Sequence, residues 1–159
     1  MHLTILAVGK VRERYLADAI DEYAKRLRRY ATLSIVEVAE EQAPETLSPA
    51  EQEQVKQREG ERLLKHIKDT HYVIALAIDG KTLSSEAYAA HLQRLALASR
   101  SDIALLIGGS LGLPTPLLHR ADYHLSFGPM TYPHQLIRLL LLEQTYRAFK
   151  IMLGQPYHK

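Results

Sequence analysis

Residues 103–113 read IALLIGGSLGL, and residues 123–152 read YHLSFGPMTYPHQLIRLLLLEQTYRAFKIM. In each, a short apolar run meets a turn. Ile103 to Ile107 ends at Gly108-Gly109, with Gly112 shortly after, and Tyr123 to Phe127 ends at Gly128-Pro129. Such runs mark strands buried in a sheet, and glycine at their ends lets backbone approach a ligand closely. In open α/β sheets, ligands bind outside the carboxyl ends of the strands. Two strand ends this close in sequence, followed at once by a strong helix, predict the ligand site. The rest of the chain is then its scaffold.

Working outward, Leu3 to Val8 is a near-continuous apolar run, as in a strand buried on both faces. Tyr15, Leu16, Ala19, Ile20, Tyr23 and Leu27 recur at helical spacing and predict an amphipathic helix over 13–29. A second strand is expected over 33–38, then an acidic loop over 40–47. Ser48-Pro49-Ala50-Glu51 is a helix start, with a capping serine, proline at the first position and a glutamate completing the box. That helix is expected to reach about Lys68, with its polar outer part a solvated face. A third strand follows over 72–78, with Asp79-Gly80-Lys81 as its turn. Ser84 or Ser85 starts a helix, 102–107 is the fourth strand, 114–121 a short helix and 123–127 the fifth strand. Pro133 opens a last helix to about Met152, which Gly154 and Pro156 stop. Alternation of this kind predicts a parallel sheet with helices on both faces.

The chain has 159 residues, for which one domain, 1–159, is expected. A chain of that length buries about 70% of its unfolded surface. The apolar share of 47% and charged share of 24% are those of an ordinary globular protein. No stretch is apolar enough to span a bilayer, and MHLTILAVGK reads as a strand and not a signal peptide, so a cytoplasmic location with no membrane partner is expected. The absence of cysteine excludes disulfides and thiolate chemistry. A net charge of +2 permits a nucleic-acid partner without demonstrating one.

The stretch IGGSLG approaches a phosphate loop but lacks both GxGxxG and GK[ST], and a glycine-rich turn without a ligand is the plainer reading. In FGPMTYPH, Gly128-Pro129 fixes a turn, Met130 and Tyr132 are expected exposed, and Thr131 is placed to cap the last helix. Its backbone groups suit the edge of a base such as adenine; a simple strand-to-helix connection is the alternative. Leu136, Ile137 and Leu139 to Leu142 form a block broken only by Arg138, apolar nearly all round. That predicts burial on more than one side, by a partner subunit or in the monomer core. The spacing of the eight histidines gives no HExxH, and no metal site is expected. His134 reads as a surface or cap residue. The tail GQPYHK, 154–159, is expected to be mobile, either frayed or placed over a site.

At these residues the chain resembles a known family. LLIGGSLGL, SFGPMTYPHQLIRLLLLEQTYRAFKI, the terminal PYHK and the opening LTILAVGK with EYAKRL in its helix are similar to the large-subunit ribosomal RNA methyltransferase H family, within the SPOUT superfamily. The resemblance extends over the whole chain. It implies an α/β parallel-sheet sandwich with a C-terminal trefoil knot, against the general rule that chains are unknotted. It implies S-adenosylmethionine as methyl donor, N3 of a pseudouridine in 23S rRNA on the assembled 70S ribosome as acceptor, and a homodimer. The implied donor-site residues are Leu76, Gly108 and Phe127, Gly128, Pro129, Met130, Thr131 and Tyr132. Arg147, Tyr157 and His158 are the implied active-site residues.

N3 of a pseudouridine must lose its proton to act as a nucleophile, so His158 is a candidate general base. Arg147 suits a phosphate or the negative charge developing on the ring. Lys10, Arg12, Arg14, Arg28 and Arg29 are candidate phosphate contacts, or equally a solvated helix face. Two other classes stay open: a nucleotide-binding enzyme of different chemistry, and a non-catalytic ribosome-associated RNA-binding protein.

Overall fold

The computed structural model describes residues 1–159. Its strands are β1 (His2–Val8), β2 (Thr32–Val38), β3 (Tyr72–Thr82), β4 (Asp102–Ile107) and β5 (Tyr123–Ser126). Its helices are α1 (Arg14–Leu27), α2 (Pro49–Leu64), α3 (Ser85–Leu97), α4 (Thr115–Arg120) and α5 (His134–Met152). The strands form one sheet in the order β2-β1-β4-β3-β5, and every pairing is parallel.

Side chains alternate across a strand, and both faces here are apolar. Leu3, Ile5, Ala7, Ile103, Leu105 and Ile107 face α1, α3 and α5. Leu6, Val8, Ala104 and Leu106 face α2 and α4. The unbroken apolar runs of β1 and β4 follow from this central position. Burying each such Leu or Ile stabilises the fold by about 1.5–3 kcal/mol.

The start of α2 is the expected capping box: Ser48 Oγ accepts from the Glu51 N–H at 3.3 Å, and Glu51 Oε2 accepts from the Ser48 N–H at 2.7 Å. The helix stops at Leu64, short of Lys68.

Two expectations fail near the site. Asp79-Gly80-Lys81 is not a turn that ends β3. Leu76 and Lys81 both pair with Leu125, and Thr82 pairs with Ser126, so the strand bulges between Leu76 and Lys81 and then resumes. Gly80 permits this, because a Cβ there would lie 2.8 Å from the backbone of His124. Thr131 is not a cap either: the N-cap of α5 is Pro133, with no side-chain hydrogen bond.

His134 is also not a free surface residue. Its side chain is 19% exposed, and Nε2 lies 3.4 Å from Glu40.

Candidate functional site

Three segments meet beyond the carboxyl ends of β3, β4 and β5. They are the bulge of β3, the loop 108–113 after β4 and the loop 127–132 after β5. Between them lies a cavity of about 420 Å³. Leu76, Gly108, Phe127, Met130, Thr131 and Tyr132 line it, beside Ile107, Leu118, Leu125 and Ile137. Gly128 lines a neighbouring cavity of about 400 Å³ with Ser84, Ser85, Leu140 and Gln144. Pro129 is exposed at the turn and lines neither.

Local chemistry explains the shape. At Gly108 a Cβ would lie 2.6 Å from the carbonyl carbon of Gly112, so only glycine lets the loop fold back on itself here. The Gly112 N–H closes the turn on the Gly109 carbonyl at 3.0 Å. Gly128 holds φ at +106°, a conformation side chains disfavour. Ser126 pins the two other segments together: Oγ donates to the Ile78 carbonyl at 2.8 Å and accepts from the Gly128 N–H at 3.0 Å. Sequence reading missed Ser126, whose partner is 48 residues away.

The tail, expected to be mobile, is docked on its own helix. Past Gly154 it folds back along α5 and joins a polar cluster. Glu143 Oε1 accepts from Arg147 at 2.6 Å and from the Tyr157 hydroxyl at 2.9 Å. The guanidinium of Arg147 lies 4.7 Å from the centre of the Tyr157 ring. Tyr157 packs edge-on to Tyr146 at 4.9 Å and meets the Tyr23 hydroxyl at 3.2 Å. His158 lies between Arg147, 3.3 Å from Nδ1, and Glu86, 2.7 Å from Nε2. Arginine only donates, so Nδ1 accepts and Nε2–H points to Glu86.

The Glu143 carboxylate raises the pKa of Arg147. Burial, the Tyr23 hydroxyl and Glu143 together push the Tyr157 phenol well above the usual tyrosine range. Tyr157 is therefore a proton donor to its neighbours and not a base.

Arg147, Tyr157 and His158 are thus brought together, but apart from the cavity. Ile137 in the cavity wall and Arg147 are ten residues apart on α5, or about 15 Å along the axis. Lys10, Arg12, Arg14, Arg28 and Arg29 are all exposed; Arg12 lies 3.7 Å from Glu40 and Arg14 3.9 Å from Asp18. Glu143 was available to sequence reading as the i−4 neighbour of Arg147. Glu86 and Tyr23 were not, lying 72 and 134 residues from their tail partners. No helix is long and apolar enough to cross a membrane.

Known proteins resemble this chain over its whole length. A family model described as "Predicted SPOUT methyltransferase" matches residues 1–158. "Ribosomal RNA large subunit methyltransferase H" of Alkaliphilus oremlandii (strain OhILAs) is 58% identical over 159 residues, covering 100% of both chains. The protein of the same name from Bifidobacterium adolescentis is also 58% identical, and that from Listeria welshimeri 56%, each over 100% of both chains. Among solved structures, a probable methylase family protein from Haemophilus influenzae Rd KW20 gives a TM-score of 0.49 at 15% identity, covering 96% of this chain and 66% of that one. With a family model matched from residue 1 to residue 158 and relatives matched end to end, the chain belongs to the SPOUT methyltransferase family.

Proposed function

We propose that the chain transfers a methyl group from S-adenosylmethionine to N3 of a pseudouridine in 23S rRNA on the assembled 70S ribosome, as a cytoplasmic homodimer that needs no metal. The observation that carries this reading is the cavity where the β3 bulge, the 108–113 loop and the 127–132 loop meet. Its volume of about 420 Å³ falls in the range of small-ligand sites. Leu76, Ile107, Leu125 and Phe127 offer apolar walls for a base, and the close Gly108–Gly112 approach leaves backbone groups bare for polar contacts. These residues fit an adenosyl donor. The full-length relatives named for ribosomal RNA methylation support the acceptor class.

Bound S-adenosylmethionine supplies an electrophilic methyl on a positive sulfonium. The chain's own task is alignment, worth about 7–11 kcal/mol when reacting groups are held in place. Leu76 and the 127–132 loop would hold this donor. Arg147, kept charged by Glu143, is set to hold a phosphate or the negative charge developing on a uracil ring. His158 takes the N3 proton once Nδ1 is released from Arg147.

A second copy of the chain completes the site. Leu136, Leu139 and Leu140 remain partly exposed on α5, and Ile78, Met130 and Tyr132 are exposed around the cavity. An apolar rim beside a ligand cavity is a surface a partner covers. The trefoil knot belongs to the same proposal, with the donor held in its loops.

The test is incubation of the protein with methyl-labelled donor and 70S ribosomes, followed by mapping of the modified base. Label at N3 of one pseudouridine is expected. Donor binding without label in RNA would favour a non-catalytic ribosome-associated protein.

A further inference from the structure

Two adjacent residues of α2 break the rules of the helix they sit in. Glu59 is 4% exposed, although no cationic side chain lies within salt-bridge distance of it. The Arg62 guanidinium, whose charge reaches Glu59, is bound to Glu41 and to the Ala39 carbonyl. The contact Glu59 does make is with the Glu41 N–H, which donates to Oε2 at 3.0 Å. Burial raises the pKa of its carboxyl; the Glu41 N–H and the Arg62 charge lower it, and the Glu40 and Glu41 carboxylates raise it. Gly60, next in sequence, is a buried glycine inside a helix, where alanine is favoured by about 1 kcal/mol.

Both departures face the same loop. A Cβ on Gly60 would lie 2.4 Å from Pro114 Cγ, so the missing side chain lets α2 close on the end of the 108–113 loop. That closure seats Glu59 against Gly109, where a Cβ would lie 2.9 Å from Oε1 and 3.1 Å from Oε2. Gly109 itself lines the cavity. One thickness of backbone therefore separates a buried carboxyl group without a salt bridge from the ligand space. Asp79, the acidic residue that lines the cavity itself, is exposed and screened by water. A buried acidic group set against a ligand cavity is a candidate for function.

We propose that Glu59 is a specificity-determining residue, whose carboxylate behind the Gly108-Gly109 turn makes the cavity prefer a positively charged sulfonium ligand to the neutral thioether left after transfer. The inference rests on the donor-cavity reading above. Its physical basis is that a buried charge is poorly screened and acts across a few ångströms of backbone, while shape alone cannot separate two ligands differing by one methyl group.

The test is calorimetric, on the full chain without ribosomes. Three ligands are titrated: S-adenosylmethionine, S-adenosylhomocysteine, and an analogue bearing an ammonium group in place of the methylsulfonium. The wild-type chain should bind the two cationic ligands about tenfold more tightly than the thioether. In Glu59→Gln, which keeps the shape and the bond from the Glu41 N–H, that preference should disappear through weaker binding of the cationic pair. Glu59→Asp, retaining the charge, should keep most of it, and covers the case in which Glu59→Gln does not fold. Equal weakening of all three ligands in Glu59→Gln would mean the residue only shapes the loop, and would overturn the inference. So would a wild-type chain with no preference for charge. A wild-type chain that binds none of the three would overturn the donor reading itself, and this inference with it.

Discussion

Arg138 donates to the Glu37 carboxylate at 2.6 Å across 101 residues of sequence, and its other amino group donates to the Gly9 carbonyl at 3.0 Å. Its side chain is 1% exposed. The one charge in the apolar block of α5 therefore points inward, not to solvent. It ties the first turns of α5 to the carboxyl ends of β1 and β2, and so fixes where the 127–132 loop must end.

Arg138→Ala removes that tie and leaves Glu37 without its partner. Glu37 is partly exposed and can rehydrate, so the cost should fall at the lower end for a broken buried pair, about 3 kcal/mol. For a domain of this size that is a drop in Tm of roughly 6–12 °C. Differential scanning calorimetry measures it; a Tm within 2 °C or so of wild type would show the pair to be dispensable.

At Gly108 the loop backbone leaves no room for even a methyl group. Gly108→Ala should prise Gly108 and Gly112 apart and weaken donor binding by tenfold or more, and Gly108→Trp should abolish it. Because the loop lies outside the sheet, beyond the carboxyl end of β4, the fold should survive with a loss of about 1–3 kcal/mol. Calorimetry and circular dichroism separate the two effects. Unchanged affinity would remove Gly108 from the donor site.

Leu140 is partly exposed and lines the smaller cavity with Phe127 and Gly128. If a second copy covers that side, Leu140→Arg buries an unpaired charge and the protein becomes monomeric or insoluble. Sedimentation velocity gives the answer. A folded, active dimer would place Leu140 outside the interface.

Three histidines have pKa values lowered chiefly by burial: His71, His91 and His134. Asp102 opposes the shift at His71 and Glu40 opposes it at His134, while Lys68 and Arg120 add to it at His71, Arg94 at His91 and Arg138 at His134. A base with a lowered folded pKa binds fewer protons folded than unfolded. Stability is therefore full above the unfolded value, near 6.5, and falls as pH drops below it. Thermal unfolding between pH 7.5 and about 5 should show a falling Tm, with a shallower slope in His71→Gln. A flat profile would contradict the assignment.

The strands, the alternation and the capping box at Ser48 were legible because each depends on neighbours in sequence. The bulge at Gly80 was not, since its cause is the backbone of His124 on another strand. Glu59 reads as one more charge on a polar helix until its contact with Gly109 is seen. The two loops after β4 and β5 were found as a ligand site because strand ends with glycine leave a local trace. The carboxylates that hold the tail leave less: Glu143 carries only its spacing from Arg147, and Glu86 carries none.

That tail gives the last prediction. It is docked on its own α5, and Arg147 stands about 15 Å up the helix from the cavity wall at Ile137. A chain's own tail is therefore poorly placed to reach its own cavity, whereas the tail of a partner packed along α5 is free of that restriction. Each active site should combine the cavity of one subunit with Arg147, Tyr157 and His158 of the other. The measurement mixes a chain ending at Leu153 with a Gly108→Trp chain. Each homodimer should be nearly inactive, the first lacking tails and the second lacking donor cavities. A heterodimer with tails acting in trans has one whole site, made of the truncated chain's cavity and the other chain's tail, and should recover up to half the wild-type activity per dimer. With tails acting in cis, every site lacks one component and mixing restores nothing. Background activity from heterodimers verified by native mass spectrometry would therefore rule out the shared site.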